Sequence, residues 1–303
     1  MLEYGLFHRA AGIFLLIVCL PFVVLGAKPQ PLASPKAVFK FQDNLSIEEL
    51  DTGIYRVIHA WPWPSNSLVV LMSDSTLLLV DTPYTPEATQ RLLLWAKTQF
   101  NVSGIKAIVT HYHIDRMGGV PALLEEGIPV YGSNETAQLI EEKGNDSVRK
   151  MADWVKEPAI RETYRHLWME PPSILFPQEK GLFLGFGKET VEVYYPGPGH
   201  TPDNLVVWFP DRKLLFGGCL INSSDKMGNL TEADLDSWGK SIQTLMKRYK
   251  PQWVIPGHGG ESFHFSSQLL PHTLKVVRET IKLQPEKLNP NQGQKGPEFE
   301  SRQ

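Results

Sequence analysis

Four histidines, one aspartate and one cysteine stand where short apolar runs give way to Gly- or Pro-rich loops. His111, His113 and Asp115 follow the run ending at Val109-Thr110, in the string HYHIDR. His200 ends PGPGH after Tyr194-Tyr195, Cys219 follows Leu215-Phe216-Gly217-Gly218, and His258 follows Val254-Ile255-Pro256-Gly257. Imidazole nitrogen, thiolate and carboxylate are donors that zinc takes. In extended backbone, alternate residues share a side, so His111 and His113 can reach one metal while the shorter Asp115 serves a neighbour. Six donors are too many for one tetrahedral zinc and suit two open sites, which together can clamp a hydrolytic transition state. A lone histidine near a strand end is ordinarily surface or core, and His8, His59, His166, His264 and His272 are read that way. Cys219 taken alone would be a small buried hydrophobe; its place in this set makes it a ligand.

Such loops need a scaffold that ends its strands on one edge. Residues 53–60, 67–72 and 76–80 read as strands, separated by turns at 64–66 and 73–75. Residues 87–100 have helical spacing through Leu92, Leu93, Trp95 and Ala96. A strand at 105–109 is followed by helices at 120–126 and 135–143, with Val130-Tyr131 between them. Residues 146–168 are charged and helical, broken once at Pro158. Strands return at 190–195, 205–209 and 213–216, and the chain continues as helix (235–249), strand (253–255) and helix (272–282). No tandem repeat interrupts this order. Strands mixed with helices, without an internal linker, predict one α/β domain over residues 36–285.

At 303 residues, with 42% hydrophobic and 21% charged side chains, the chain has enough apolar surface for a sizeable core. Thirty Lys+Arg against 33 Asp+Glu give a net charge of -3, and no basic stripe carries interleaved aromatics, so nucleic-acid binding is not expected. Two cysteines make no disulfide framework. Residues 1–27 have the order of a secretory signal: His8 and Arg9, an apolar run from Ala10 to Ala27, then a polar Pro-rich stretch. Retention as an anchor is the alternative, disfavoured by Pro21 and the run's modest length. Val18 before Cys19 disfavours lipid attachment. Once the signal is removed, Cys219 is the only cysteine, no stable membrane insertion is expected, and a monomer is the default. Residues 286–303 read as a disordered polar tail.

With HYHIDR followed by GPGHT, GGC and PGHG, the chain resembles a metallo-β-lactamase over residues 53–279. The cysteine in GGC points to the subclass with one three-histidine zinc and one Asp-Cys-His zinc. The resemblance implies an αββα four-layer sandwich with the metals at one edge. It also implies two zinc ions, the first on His111, His113 and His200, the second on Asp115, Cys219 and His258. Asp81 in LLLVDT would support the ligand loop from behind, and Arg116 would lie beneath the second zinc. Asn229 in MGNL would help polarise a lactam carbonyl. The implied activity is hydrolysis of the β-lactam amide of penicillins, cephalosporins and carbapenems, conferring antibiotic resistance. A zinc-bound hydroxide would attack without a covalent intermediate, Asp115 orienting it, and the exported start places the protein in the periplasm.

The chain departs from that pattern in three places. Asn222 stands where many members carry a Lys for the substrate carboxylate, leaving Lys226 as its substitute. The stretch from Cys219 to Asn229 is short. The loop Ala60-Trp61-Pro62-Trp63-Pro64 is brief where many members have a long flap, with Trp61 the expected substrate contact, while 146–168 looks like an insertion. Thiolesterase relatives usually place His where this chain has Arg116 and lack a cysteine ligand, which favours the lactamase. A hydrolase of another ester, thioester or amide is the alternative, and a metal-binding scaffold without turnover a third.

Overall fold

The computed structural model describes residues 35–283. The expected signal at 1–27 and tail at 286–303 lie outside the described residues. The first sheet is built in chain order from β1 (Ala37–Lys40), β2 (Leu45–Asp51), β3 (Ile54–Ala60), β4 (Pro64–Leu71), β5 (Thr76–Val80), β6 (Gly104–Ile108), β7 (Val130–Ser133) and β8 (Ile174–Phe176). Its first five strands pair antiparallel, and β5 through β8 run parallel. Parallel neighbours need crossovers. These carry α1 (Pro86–Gln99), α2 (Ile114–Met117), α3 (Val120–Glu125), α4 (Asn134–Leu139), α5 (Asn145–Ala152) and α6 (Pro158–His166). The second sheet holds β9 (Leu182–Phe186), β10 (Glu189–Tyr194), β11 (Val206–Phe209), β12 (Leu214–Gly218) and β13 (Trp253–Pro256), in the order β13-β12-β11-β10-β9. Helix α7 (Leu235–Arg248) joins β12 to β13, and α8 (Leu269–Leu283) follows.

Period-two burial sorts these elements into four layers. Leu77 and Leu79 of β5 face α1, α3, α5 and α6 through Leu92, Trp95, Leu123, Val148 and Tyr164. The alternating Leu78 and Val80 face the other sheet, meeting Val193, Val207 and Phe216. On that sheet's far side, Val206, Leu215 and Val254 pack against Trp238, Ile242 and Leu245 of α7 and Leu269 and Val277 of α8. This is the expected αββα sandwich. Among the described residues no helix is long and apolar enough to cross a membrane.

Several expectations need correction. Residues 64–66 are not a turn but open β4, opposite Ala60, His59 and Ile58. Proline is tolerated at a strand's first residue, so the β3–β4 connection shrinks to residues 61–63. The stretch 146–168 is helical and broken once, as expected, but the break covers residues 153–157 and Pro158 starts the second helix, where its missing N–H costs nothing. Helix α8 begins three residues before the predicted 272. Strands β1, β2, β8 and β9 carry too weak an alternation to be read: β2 holds Glu48, Glu49 and Asp51, β8 has three residues, and β9 contains Gly185.

Candidate metal centre

Three loops of the first sheet meet three of the second. Asp81, at φ 61, turns its carboxylate onto the loop after β6, where Thr110 donates from N at 2.7 Å and Oγ1 at 2.8 Å. That pin fixes the backbone entering His111. The next amide, of Tyr112, donates to Asp203 Oδ2 at 2.9 Å, and Leu205 N donates to the Thr110 carbonyl at 2.8 Å, so the loop is tied to the second sheet. His113 precedes α2, whose single turn holds Asp115 and Arg116. The helix lies so close to its neighbour that a Cβ on Gly118 would stand 1.9 Å from the Tyr84 carbonyl oxygen. Likewise a Cβ on Gly257 would stand 2.9 Å from Cys219 Sγ, so glycine there lets the His258 loop lie on the Cys219 loop.

The six predicted ligands converge. Donor atoms of Asp115, Cys219 and His258 lie within 4.8 Å of one another, and so do those of His111, His113 and Asp115. Rings of His111, His113 and His200 have centroids 4.9, 5.3 and 5.0 Å apart, with His113 Nδ1 3.1 Å from His200 Nε2. Both ring nitrogens of His111 are buried without a hydrogen-bond partner. Buried polar atoms are almost always paired, so these residues fit a cation that completes them, and the nitrogen, sulfur and carboxylate donors fit zinc. Burial holds the His111 pKa well below that of free imidazole and lowers His200 to about 3, which keeps both rings neutral, as ligands must be. Burial works to raise the Asp115 pKa, but Arg116 and His258 outweigh it and hold the carboxyl well below its usual range. Burial, with Asp115 and Asp81 nearby, pushes the Cys219 thiol up against the pull of Arg116.

The surrounding contacts orient each ligand. His258 Nδ1–H donates to the Pro64 carbonyl at 2.7 Å, turning Nε2 to Asp115 Oδ2 at 3.2 Å and Cys219 Sγ at 3.5 Å. His113 Nε2 faces Glu232 at 2.9 Å, leaving Nδ1 toward the other histidines. Glu232 also accepts from the Tyr112 hydroxyl and Lys143. Arg116, fully buried, donates to Asp115 Oδ2 at 2.6 and 2.9 Å, to Asp81 Oδ2 at 3.3 Å, and to the carbonyls of Asn66 at 2.6 Å and Gly257 at 3.0 Å. Ser65 and Asn66 complete this floor: Ser65 Oγ donates to the Asp115 carbonyl, and Asn66 Nδ2 to the carbonyls of Pro256 and Gly259. Sequence reading missed Ser65, Asn66, Tyr112, Lys143 and Glu232 as parts of the site. The first two sit in a Pro-Ser-Asn string with turn chemistry, and Glu232 lies 119 residues from the histidine it holds.

The expected substrate contacts are placed less uniformly. Lys226 and Asn229 lie exposed in the loop before α7. Asn229 Oδ1 accepts from Thr231 N and Oγ1 at 3.0 and 2.7 Å, which leaves its amide nitrogen for a ligand. The Asn222 amide folds back to the Ser224 carbonyl at 2.6 Å. Trp61 departs from its expected role. Its indole stacks on His59 at 5.6 Å and 24° with Nε1 buried, whereas Trp63 is the exposed indole of the loop. His59 is a core histidine, as expected: it is buried, and its Nδ1 accepts from Tyr84 N at 3.0 Å.

Comparison with known proteins agrees with this geometry. The family model described as the metallo-beta-lactamase superfamily matches residues 60–258. The chain is 34% identical over 218 residues to a metallo-beta-lactamase type 2 of Bacillus sp. (strain 170), covering 71% of this chain and 73% of that protein. It is 28% identical over 262 residues to one of Bacteroides fragilis, covering 84% and 93%. Among solved structures, the DIM-1 metallo-beta-lactamase aligns with a TM-score of 0.63 and 30% identity, over 78% of this chain and 98% of that one. The metallo-beta-lactamase from Pontibacter korlensis aligns at 0.60 and 30%, over 80% and 98%. With its two-sheet sandwich, its converging histidines, aspartate and cysteine, and these matches, the chain belongs to the metallo-β-lactamase superfamily.

Proposed function

We propose that the protein hydrolyses the amide bond of β-lactam rings in penicillins, cephalosporins and carbapenems, with two zinc ions as cofactors, and that it confers resistance from the periplasm. The observation that supports the reading is the meeting of the His111, His113 and His200 rings, with centroids 4.9 to 5.3 Å apart, beside the donor group of Asp115, Cys219 and His258. When bound, zinc supplies Lewis-acid stabilisation of developing charge and a water acidic enough to act near neutral pH. The chain's own residues do the rest. Asp115, held by Arg116, orients the attacking water. The exposed amide of Asn229 donates to the lactam carbonyl as negative charge grows on it. The Lys226 ammonium meets the substrate carboxylate in place of the lysine that Asn222 replaces, and Trp63 offers an apolar surface beside it. No side chain bonds covalently to substrate.

A panel of penicillin, imipenem and thioester substrates, with metal analysis of the purified protein, tests the reading. Turnover of both lactams supports it. Thioester turnover without lactam turnover selects the alternative hydrolase. Bound metal without any turnover selects a scaffold.

Replacing Cys219 by Ser removes the thiolate from one triad and leaves the histidine triad whole. Elemental analysis is expected to show metal content falling from two to about one per chain. Two tightly held zinc ions in the variant would contradict the assignment.

A further inference from the structure

The connection between β3 and β4 is three residues long, Trp61-Pro62-Trp63, and each end is tied to something different. At the start, the Trp61 carbonyl accepts from the hydroxyl of Tyr164, a fully buried side chain of α6. The Trp61 indole is stacked on His59. At the end, the Pro64 carbonyl accepts from His258 Nδ1. The His258 side chain is 47% exposed. Among the described residues, its ring has no hydrogen-bond partner outside its own triad except that carbonyl. The orientation of the His258 ring therefore depends on one oxygen, that of the first residue of β4, where the short connection from β3 ends.

We propose that Tyr164 is a positioning residue for the triad of Asp115, Cys219 and His258, acting through this loop. The hydroxyl fixes the Trp61 carbonyl, so three residues with two prolines at and beside them have little freedom to move the Pro64 oxygen. That oxygen sets the His258 tautomer and ring plane, which keeps Nε2 facing Cys219 and Asp115. Helix α6, in the stretch that the sequence presents as an insertion, thus acts as a brace on this loop through Tyr164. The inference rests on reading the triad as a metal site.

Tyr164→Phe keeps the ring and deletes only the hydroxyl. Cobalt(II) titration of metal-stripped protein reads the Cys219 triad through its thiolate-to-cobalt absorption and the histidine triad through its ligand-field bands. The expected result is half-saturation of the thiolate band at about three- to tenfold higher cobalt, with the histidine bands unmoved. Amide exchange at residues 61 and 63 of the metal-free variant should quicken several-fold. Ile160→Ala, a packing loss in the same helix, serves as the control: it should lower the melting temperature and leave the thiolate band alone. A thiolate band within about twofold of wild type in Tyr164→Phe, or an equal shift in Ile160→Ala, would overturn the proposal. A wild-type protein without any thiolate band would overturn the metal-site reading itself, and this inference with it.

Discussion

Stripping divalent metal from the protein with a strong chelator is expected to lower β-lactam turnover by at least about a thousandfold, and added zinc to restore it. The size follows from the site's construction. Within the cluster the one thiol, Cys219, lies 3.4 Å from the Asp115 carboxylate and 3.5 Å from His258 Nε2, and on the proposed reading all three are taken up by metal rather than free to act as nucleophile and base. Charge developing on the lactam oxygen would meet only imidazole rings and an exposed amide. Losing several kcal/mol of transition-state stabilisation corresponds to three or more decades of rate. Inhibitors directed at a serine nucleophile should have no effect. Imipenem hydrolysis at wild-type rates after verified metal removal would end the mechanism.

Arg116→Met is expected to cost about 3–5 kcal/mol of folding stability, measured by denaturant unfolding of the metal-free protein. The guanidinium is fully buried and bridges Asp81, Asp115 and the carbonyls of Asn66 and Gly257. Its removal leaves two carboxylates in a dry interior without a counter-charge and takes a donor from the Asn66 and Gly257 carbonyls, the second of which keeps the Asn66 amide. Arg116→Lys should recover less than half of the loss, because one ammonium cannot span acceptors that the planar fork reaches on three sides. Zinc should partly rescue either variant by neutralising Asp115. A Met variant within about 1 kcal/mol of wild type would show that Asp81 and Asp115 find other partners.

The six converging side chains are legible because each lies in a segment that follows a strand, next to glycines and prolines or to a second histidine. The inner strands were legible too, since β5 and β12 are apolar on both faces. What escaped was set by contacts distant in sequence. Nothing in Pro64-Ser65-Asn66 distinguishes a turn from a strand start that supports three loops. Nothing near Glu232 announces His113. Trp61 and Trp63 are alternatives two positions apart, and only the packing of His59 decides which faces inward. Edge strands such as β9, with Phe183 exposed, give too little burial contrast to read.

The division of ligands between the sheets also has a consequence for biogenesis. His111, His113 and Asp115 come from the first sheet, while His200, Cys219 and His258 come from the second. In chain order His258 comes last, just after β13. The group of Asp115, Cys219 and His258 is therefore complete only when nearly the whole sandwich is present, and a polypeptide truncated before β13 lacks His258.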